Sequence, residues 1–288
     1  MSCLELHTEA QLTEIDQLSG LCVMYTNHRN YTIHHCRLRA TGLLILEDFG
    51  ANLEGYLPST LCDSVLKSWI HYGDTQHKRS HIHLNEKTRS TERYKIHLID
   101  VEQRRIVSVF HQEHEYVALS YVWGTDTAPL RTEDTFTKFS LLNGLPDDSQ
   151  MIPRIILDAM RLVRDLDLRY LWVDSLSILQ DNDADKFQHL PMMDRIYNDA
   201  NLVVVAVAGE NAHTGISRMV QSGNTRQAQQ YSEVVNGVYF TTVLPMLYQV
   251  LERTKWKTRG RTFHKTILAR RVIFFTEHQV YWNCRESF

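Results

Sequence analysis

Two stretches decide the fold of this chain: Tyr116-Val117-Ala118-Leu119-Ser120-Tyr121, which continues into Val122-Trp123-Gly124, and Arg169-Tyr170-Leu171-Trp172-Val173, which ends at Asp174. Both are short apolar runs with many β-branched and aromatic residues, a pattern typical of strands that are buried on both faces. A third run of the same kind covers residues 202–208. We therefore expect three buried strands in one sheet.

Helical patterns lie between these runs. Pro153 suits the first turn of a helix, because its missing N–H group has no partner to find there. The apolar residues after it recur at helical spacing and predict one buried stripe: Ile155, Ala159, Leu162, Val163 and Leu166. A second helix is predicted over about residues 184–199. This alternation of strands and helices predicts an α/β fold with a parallel sheet and helices packed on its faces.

Shorter elements flank this core. Residues 96–109 alternate like a pair of strands, and residues 271–275 and 279–284 predict a closing hairpin. We divide the chain into a mixed α/β layer, residues 1–97, packed on a core domain, residues 98–288, and expect a single structural unit. The remaining predictions are strands at 20–25 and 43–46, a helix at 59–71, and loops at 73–93 and 220–235.

The composition narrows the function classes. The chain has 288 residues, of which 43% are hydrophobic and 23% charged, and a formal net charge of −3. Without a basic patch we expect no nucleic-acid partner, and without about 18 consecutive apolar residues we expect no membrane span. The N-terminus does not look like a signal peptide, and five scattered cysteines are typical of reduced thiols. We therefore expect a cytoplasmic protein, with its oligomeric state left open.

Three blocks of the sequence resemble the fungal heterokaryon-incompatibility (HET) family. The first block is residues 116–124. The second is residues 169–181 with Met193, Ile196, Tyr197 and Ala200. The third is Trp256-Lys257-Thr258-Arg259-Gly260, followed by residues 270–275 and 280–284. The resemblance covers about residues 65–288, and all five tryptophans fall on it.

The resemblance implies a fold and a range of functions. HET proteins serve nonself recognition and cell death, and their core resembles TIR domains, some of which hydrolyse NAD. It thus implies a TIR-like parallel sheet with helices on both faces and extra β elements at both ends. Because no partner-sensing or repeat domain follows residue 288, the expectation of a complete incompatibility protein is weaker.

The sequence departs from the family pattern at several positions. Ser177 stands where the family usually has cysteine, and Gly73 and Ser80 replace family cysteines near Trp69. The family signature Arg-Gly-Trp-Thr-Phe-Gln-Glu reads here Arg259-Gly260-Arg261-Thr262-Phe263-His264-Lys265. A tryptophan, a glutamine and a glutamate have become basic residues, which predicts altered chemistry at this corner.

Seven residues are candidates for the functional site. We interpret Arg259, Arg261 and His264 as catalytic, and Tyr121, Trp123, Asp174 and Lys265 as substrate-binding. Asp174 and Trp123 follow strands of the predicted parallel sheet, at the edge where α/β proteins bind ligands. Structural alternatives stay open: Asp174 as a turn cap or the partner of an arginine, Trp123 as a core residue, and the basic segment as a solvated face.

A metal site is not expected. His77, His81 and His83 lie in a polar segment, and the family cysteines that would have joined them are absent. A structural zinc site needs four fixed ligands. Ser177 has no histidine in a catalytic arrangement and is interpreted as structural.

The altered corner favours a cofactor-independent enzyme. Some HET-like proteins resemble pericyclases of terpenoid pathways, such as the norbornene-forming, sordarin-type Diels–Alderases. A cycloaddition needs a shaped apolar pocket for a small apolar substrate, and one or two hydrogen-bond donors on a carbonyl. Our main hypothesis is therefore a pericyclase of natural-product biosynthesis without a cofactor. The alternatives are an incompatibility or cell-death domain, with or without NAD hydrolysis, and a degenerate, non-catalytic binding module.

Overall fold

The computed structural model describes residues 21–24, 26–27, 30–31, 66–67, 69–71, 93–124, 131–148, 150–216, 232–235, 238–242, 247–258, 269–277 and 280–284. The strand predicted at 43–46 and almost all of the loop predicted at 73–93 lie outside these residues. So do His77, His81 and His83. Five of the residues predicted to be helical between 59 and 71, namely 66, 67 and 69–71, lie in a helix.

Strands and helices alternate along the central part of the chain. The strands are β1 (Leu21–Met24), β2 (Thr26–Asn27), β3 (Asn30–Tyr31), β4 (Lys95–Asp100), β5 (Arg105–Phe110), β6 (Tyr116–Ser120), β7 (Tyr170–Trp172), β8 (Leu202–Ala206), β9 (Ser232–Val235), β10 (Val238–Thr242), β11 (Arg271–Phe275) and β12 (Val280–Cys284). After the helical residues 66, 67 and 69–71, the α-helices are α1 (Glu133–Ser140), α2 (Arg154–Asp165), α3 (Asp174–Ser177), α4 (Asp183–His189), α5 (Met193–Asp199), α6 (Leu247–Glu252) and α7 (Lys255–Thr258).

Seven of the strands form one sheet in the order β12-β11-β8-β6-β7-β4-β5. β6 lies between β7 and β8 and is parallel to both, and β11 is parallel to β8. The predicted set of three adjacent parallel strands is therefore confirmed. Antiparallel strands close the two edges: β12 pairs with β11, and β4 pairs with β5 and β7. Both predicted hairpins, and the extra β elements at both ends, are confirmed.

Helices cover both faces of this sheet. All five residues of β6 are buried, as are all five of β8 and of β11. Val117 and Leu119 pack on one face with residues of α2, whereas Ala118 packs on the other face with residues of α5. The α/β fold class with helices on both faces is confirmed.

Helix α2 begins directly after Pro153, and the five predicted stripe residues are all buried. The single helix predicted over 184–199 is wrong, because the chain forms α4, a 3₁₀ turn at Leu190–Met192 and then α5. Pro191 lies in that turn. Proline has no N–H group for an i−4 hydrogen bond and its ring clashes with the preceding turn, which explains the interruption.

Strands outside the central sheet correct one further prediction. β1, β10 and β9 form a separate three-stranded sheet, and β2 pairs with β3. β1 falls within the strand predicted at 20–25, which is therefore confirmed. β9 falls within the loop predicted at 220–235, so that prediction is wrong over these four residues. The boundary predicted at residue 97 falls inside β4.

An ion pair between the buried Asp100 and the partly exposed Arg169 joins the end of β4 to the start of β7. The Asp100 carboxylate accepts hydrogen bonds from Nε and Nη2 of Arg169 at 3.1 and 2.8 Å, and from the amides of Glu102 and Gln103 at 3.1 and 3.0 Å. Burial alone would raise the pKa of Asp100, but the hydrogen bonds and the Arg169 charge outweigh it and hold the pKa below its usual value. The pair therefore anchors β7, the strand that leads to Asp174.

We predict that Asp100→Ala lowers the free energy of unfolding by about 2–3 kcal/mol, because it breaks the pair and leaves two turn amides without their acceptor. Urea denaturation measures this loss. Glu102→Ala is the matched control, because the Glu102 side chain is 60% exposed and lies 3.4 Å from Arg169. It should cost less than about 1 kcal/mol. Equal losses in both variants would contradict the role given to Asp100.

Candidate functional site

The carboxyl ends of β7, β6, β8 and β11 meet at one edge of the sheet, because these four strands are parallel. Burial excludes polar chemistry along the strands themselves, so polar side chains gather where each strand ends. β7 is followed by Val173 and then by α3, whose first residue is Asp174. β6 is followed by Tyr121, Val122 and Trp123. Open α/β sheets bind ligands at this edge.

Trp123 and Asp174 contact each other directly. The indole Nε1 of Trp123 donates a hydrogen bond to Oδ1 of Asp174 at 3.0 Å, and the same oxygen accepts from the Ser175 amide at 2.9 Å. Both Trp123 and Asp174 are half-buried. Two donors therefore fix the orientation of a partly exposed carboxylate beside a partly exposed indole ring. Such a pair can accept a hydrogen bond or a cation from a ligand and offer it a flat apolar surface.

Two buried hydroxyl groups, those of Tyr121 and Ser175, lie next to the Trp123–Asp174 pair, since Ser175 follows Asp174 in the chain. The Tyr121 hydroxyl lies 2.9 Å from Oγ of Ser175, and both residues are buried. The Tyr197 hydroxyl donates to the Leu119 carbonyl at 2.9 Å. Burial raises the pKa of Tyr197 well above its ordinary value, and the nearby Asp174 and Tyr121 act in the same direction. Tyr197 is therefore a fixed, protonated donor that ties α5 to the end of β6.

Trp256 connects the third sequence block to this edge. It is fully buried in α7, and its Nε1 donates a hydrogen bond to Oγ of Ser120 at 3.1 Å. Ser120 is the last residue of β6. The residues predicted to be catalytic, and one predicted to bind substrate, follow Trp256 in the chain but lie outside the described residues: Arg259, Arg261, His264 and Lys265.

The loop after β6 is held against the loop after β8. The Ala212 amide donates to the Trp123 carbonyl at 3.2 Å, and the Ile155 amide of α2 donates to the Ala212 carbonyl at 3.1 Å. Gly124 has a φ of +87°, and a Cβ atom there would lie 2.7 Å from Cβ of Asn211. Glycine is therefore required for this close approach, which sets the position of Trp123.

The structure brings together three of the residues predicted for the site, Tyr121, Trp123 and Asp174. Sequence analysis missed Ser175 and Tyr197 as their partners. The signal was present, since both lie in the second block, but neither stands at a strand end. Ser177 is buried and its Oγ accepts from the Val173 amide at 3.2 Å, as expected of a structural residue.

These features define an α/β domain with an aromatic and acidic site at the carboxyl edge of a parallel sheet. The family model for heterokaryon incompatibility protein (HET) matches residues 116–270, which is more than half of the chain. The chain therefore belongs to the HET family. The match begins at the first residue of β6 and includes Trp123, Asp174 and Trp256.

One curated relative is similar over a shorter region. The chain is 34% identical over 100 residues to heterokaryon incompatibility protein 6, OR allele, of Neurospora crassa. The matched region covers 31% of this chain but only 14% of that protein. No solved structure matches the chain. In the part of the chain that the structure describes, no helix is long and apolar enough to cross a membrane.

We predict that Gly124→Ala lowers the free energy of unfolding by about 2–3 kcal/mol, since alanine at positive φ is strained and its Cβ collides with Asn211. Thermal or urea denaturation measures the loss. Gly209→Ala is the matched control on the neighbouring loop, where the nearest atom to a new Cβ is 3.3 Å away and φ is not positive. We expect less than about 1 kcal/mol there. Gly124→Ala with wild-type stability would show that the two loops are not locked together.

Proposed function

We propose that this chain is a heterokaryon-incompatibility domain, and that the carboxyl edge around Trp123 and Asp174 is the surface through which it acts. The observation that carries the proposal is that the family match includes both members of this hydrogen-bonded pair. The name of the Neurospora relative also refers to incompatibility. The proposal makes the domain a component of nonself recognition and cell death in a fungus.

The site chemistry supports a contact role for Asp174. Its Oδ1 is already held by the Trp123 indole and the Ser175 amide, so the carboxylate keeps one orientation. A fixed, half-buried carboxylate recognises a hydrogen-bond donor or cation more strongly than a mobile one, because less side-chain entropy is lost on binding. Trp123 adds a ring surface beside it. A ligand or partner with a donor group next to a flat apolar region fits this pair.

The main hypothesis from the sequence, a cyclase, has less support than this alternative. It depends on Arg259, Arg261 and His264, which lie outside the described residues, and neither comparison names a cyclase. One observation is compatible with it, namely the hydrogen bond from Trp256 to Ser120, because the basic segment follows Trp256 directly. NAD hydrolysis is a further hypothesis for the same edge, and the loss of the family glutamate at Lys265 weakens it.

We predict that Asp174→Asn weakens the incompatibility reaction about tenfold to a hundredfold when the chain is expressed in a filamentous fungus. Asparagine keeps the shape of the side chain, and its carbonyl still accepts from Trp123, but it loses the charge. A charge-assisted hydrogen bond is worth about 1.5–3 kcal/mol, which corresponds to that range of affinity. The measurement is the surviving fraction of cells at matched expression levels.

Asp167→Asn is the matched control. It allows the same Asp-to-Asn change at a residue that precedes β7 instead of following it. The Asp167 side chain is 79% exposed, and its φ of +59° is one that asparagine adopts as readily as aspartate. This variant should kill as efficiently as the wild type. If Asp174→Asn also kills as efficiently as the wild type, the carboxyl edge is not the functional surface.

A further inference from the structure

A buried arginine, Arg131, contacts the backbone of α3, the helix that begins with Asp174. Arg131 is 1% exposed. Its amide donates to the Ser175 carbonyl at 3.3 Å, and its carbonyl accepts from the Gln180 amide at 2.8 Å. Its Nη1 donates to the Ser177 carbonyl at 2.7 Å. The backbone and one guanidinium nitrogen of Arg131 are therefore fixed to α3 and the loop that follows it.

The other edge of the guanidinium has no partner. Nε and Nη2 of Arg131 are buried and have no hydrogen-bond partner in the described part of the chain. These two nitrogens form one side of the planar fork, the side that binds a carboxylate or phosphate with two parallel hydrogen bonds. No ion pair to Arg131 occurs among the described residues. Leaving buried charge-bearing donors unpaired is costly, so this edge is a candidate for a ligand.

Two imidazole rings lie in the neighbourhood of Arg131, and the ring of His97 contacts the Ser177 backbone that Arg131 also binds. The rings of His97 and His189 lie 5.9 Å apart, and Nδ1 of His97 is buried without a partner in the described residues. Burial, Arg131 and His189 lower the pKa of His97 to about 4, against smaller opposing effects of Asp185 and the Ser177 backbone. His97 is therefore neutral at pH 7 and adds no second positive charge beside Arg131.

In the described part of the chain, Asp185 is the carboxylate whose charge affects Arg131 and His97, and it already has partners. Asp185 accepts from the Leu179 amide at 2.7 Å, and its Oδ1 lies 3.3 Å from Nδ1 of His189. It raises the pKa of Arg131, but burial outweighs it and lowers that pKa to about 10. Arg131 is thus still a cation at pH 7, with no neutralising anion in direct contact among the described residues.

One surface side chain covers the arginine. The guanidinium carbon lies 4.8 Å from the ring centre of Phe136, and Phe136 is 39% exposed. The buried guanidinium is therefore in contact with a partly exposed ring and lies close to the protein surface.

We infer that Arg131 binds an oxyanion: the carboxylate or phosphoryl group of a small ligand. The Nε and Nη2 edge of Arg131 would hold two oxygens through two parallel hydrogen bonds. The site is distinct from the Trp123–Asp174 pair and does not depend on the proposed function. Because Nη1 holds the Ser177 carbonyl at the end of α3, an anion here would also stiffen the helix that begins with Asp174.

The test is thermal unfolding of the purified chain at pH 7 with sodium phosphate or sodium acetate, each matched in ionic strength with sodium chloride. We expect a saturable rise in Tm of about 2–4 °C over the chloride reference. A rise in Tm with phosphate only would indicate a phosphoryl ligand, and a rise with acetate only would indicate a carboxylate ligand. A rise with both salts would indicate a general oxyanion site. No rise with either salt would overturn the inference.

Variants locate the effect. Arg131→Met removes the charge with little change in volume and should abolish the rise, whereas Arg164→Met, at an exposed arginine of α2, should keep it. A rise of equal size in Arg131→Met would contradict the site. If Arg131→Met does not fold, histidine NMR of the wild type decides: the bound anion should shift the His97 ring resonances and raise the pKa of His97. If the chemical shifts and the pKa of His97 do not change at a saturating concentration of the anion, the inference is overturned.

Discussion

Burial of β6 on both faces is the constraint on which the rest of the structure depends. β6 is paired with a strand on each side, and all five of its residues are buried. A strand in this position cannot carry exposed polar groups, so the polar residues of the first family block are displaced to its end. Ser120 there receives the Trp256 indole, and Trp123 reaches Asp174 at the end of the neighbouring strand. The core and the site are therefore consequences of the same sheet.

Helix α3 links two polar environments, one at each of its ends. Its first residue, Asp174, receives the Trp123 indole, and its last residue, Ser177, gives its carbonyl to Arg131. The half-buried carboxylate and the carbonyl that Arg131 binds are thus the two ends of one helix of four residues.

The core was predictable because its signals are local. The apolar runs at β6, β7 and β8 have the length and composition of buried strands, and Pro153 marks the start of α2. The second helix was predicted as continuous over 184–199. Pro191 interrupts it, because proline cannot make the i−4 hydrogen bond and its ring clashes with the preceding turn. The Trp256–Ser120 hydrogen bond joins residues 136 apart, and the burial of Arg131 depends on α3 and α1 together. Sequence periodicity predicts secondary structure but not contacts between distant residues, so these two features could be found only in the tertiary structure.

The central claim is that Trp123 acts by orienting Asp174 at the carboxyl edge. A double-mutant cycle on the incompatibility reaction tests it most directly, with Trp123→Phe and Asp174→Ala alone and combined, each at matched levels of folded protein. The account predicts that Trp123→Phe lowers the activity when Asp174 is present and lowers it no further when Asp174 is absent. An equal loss from Trp123→Phe in both backgrounds would show that the two residues act independently and would contradict the account.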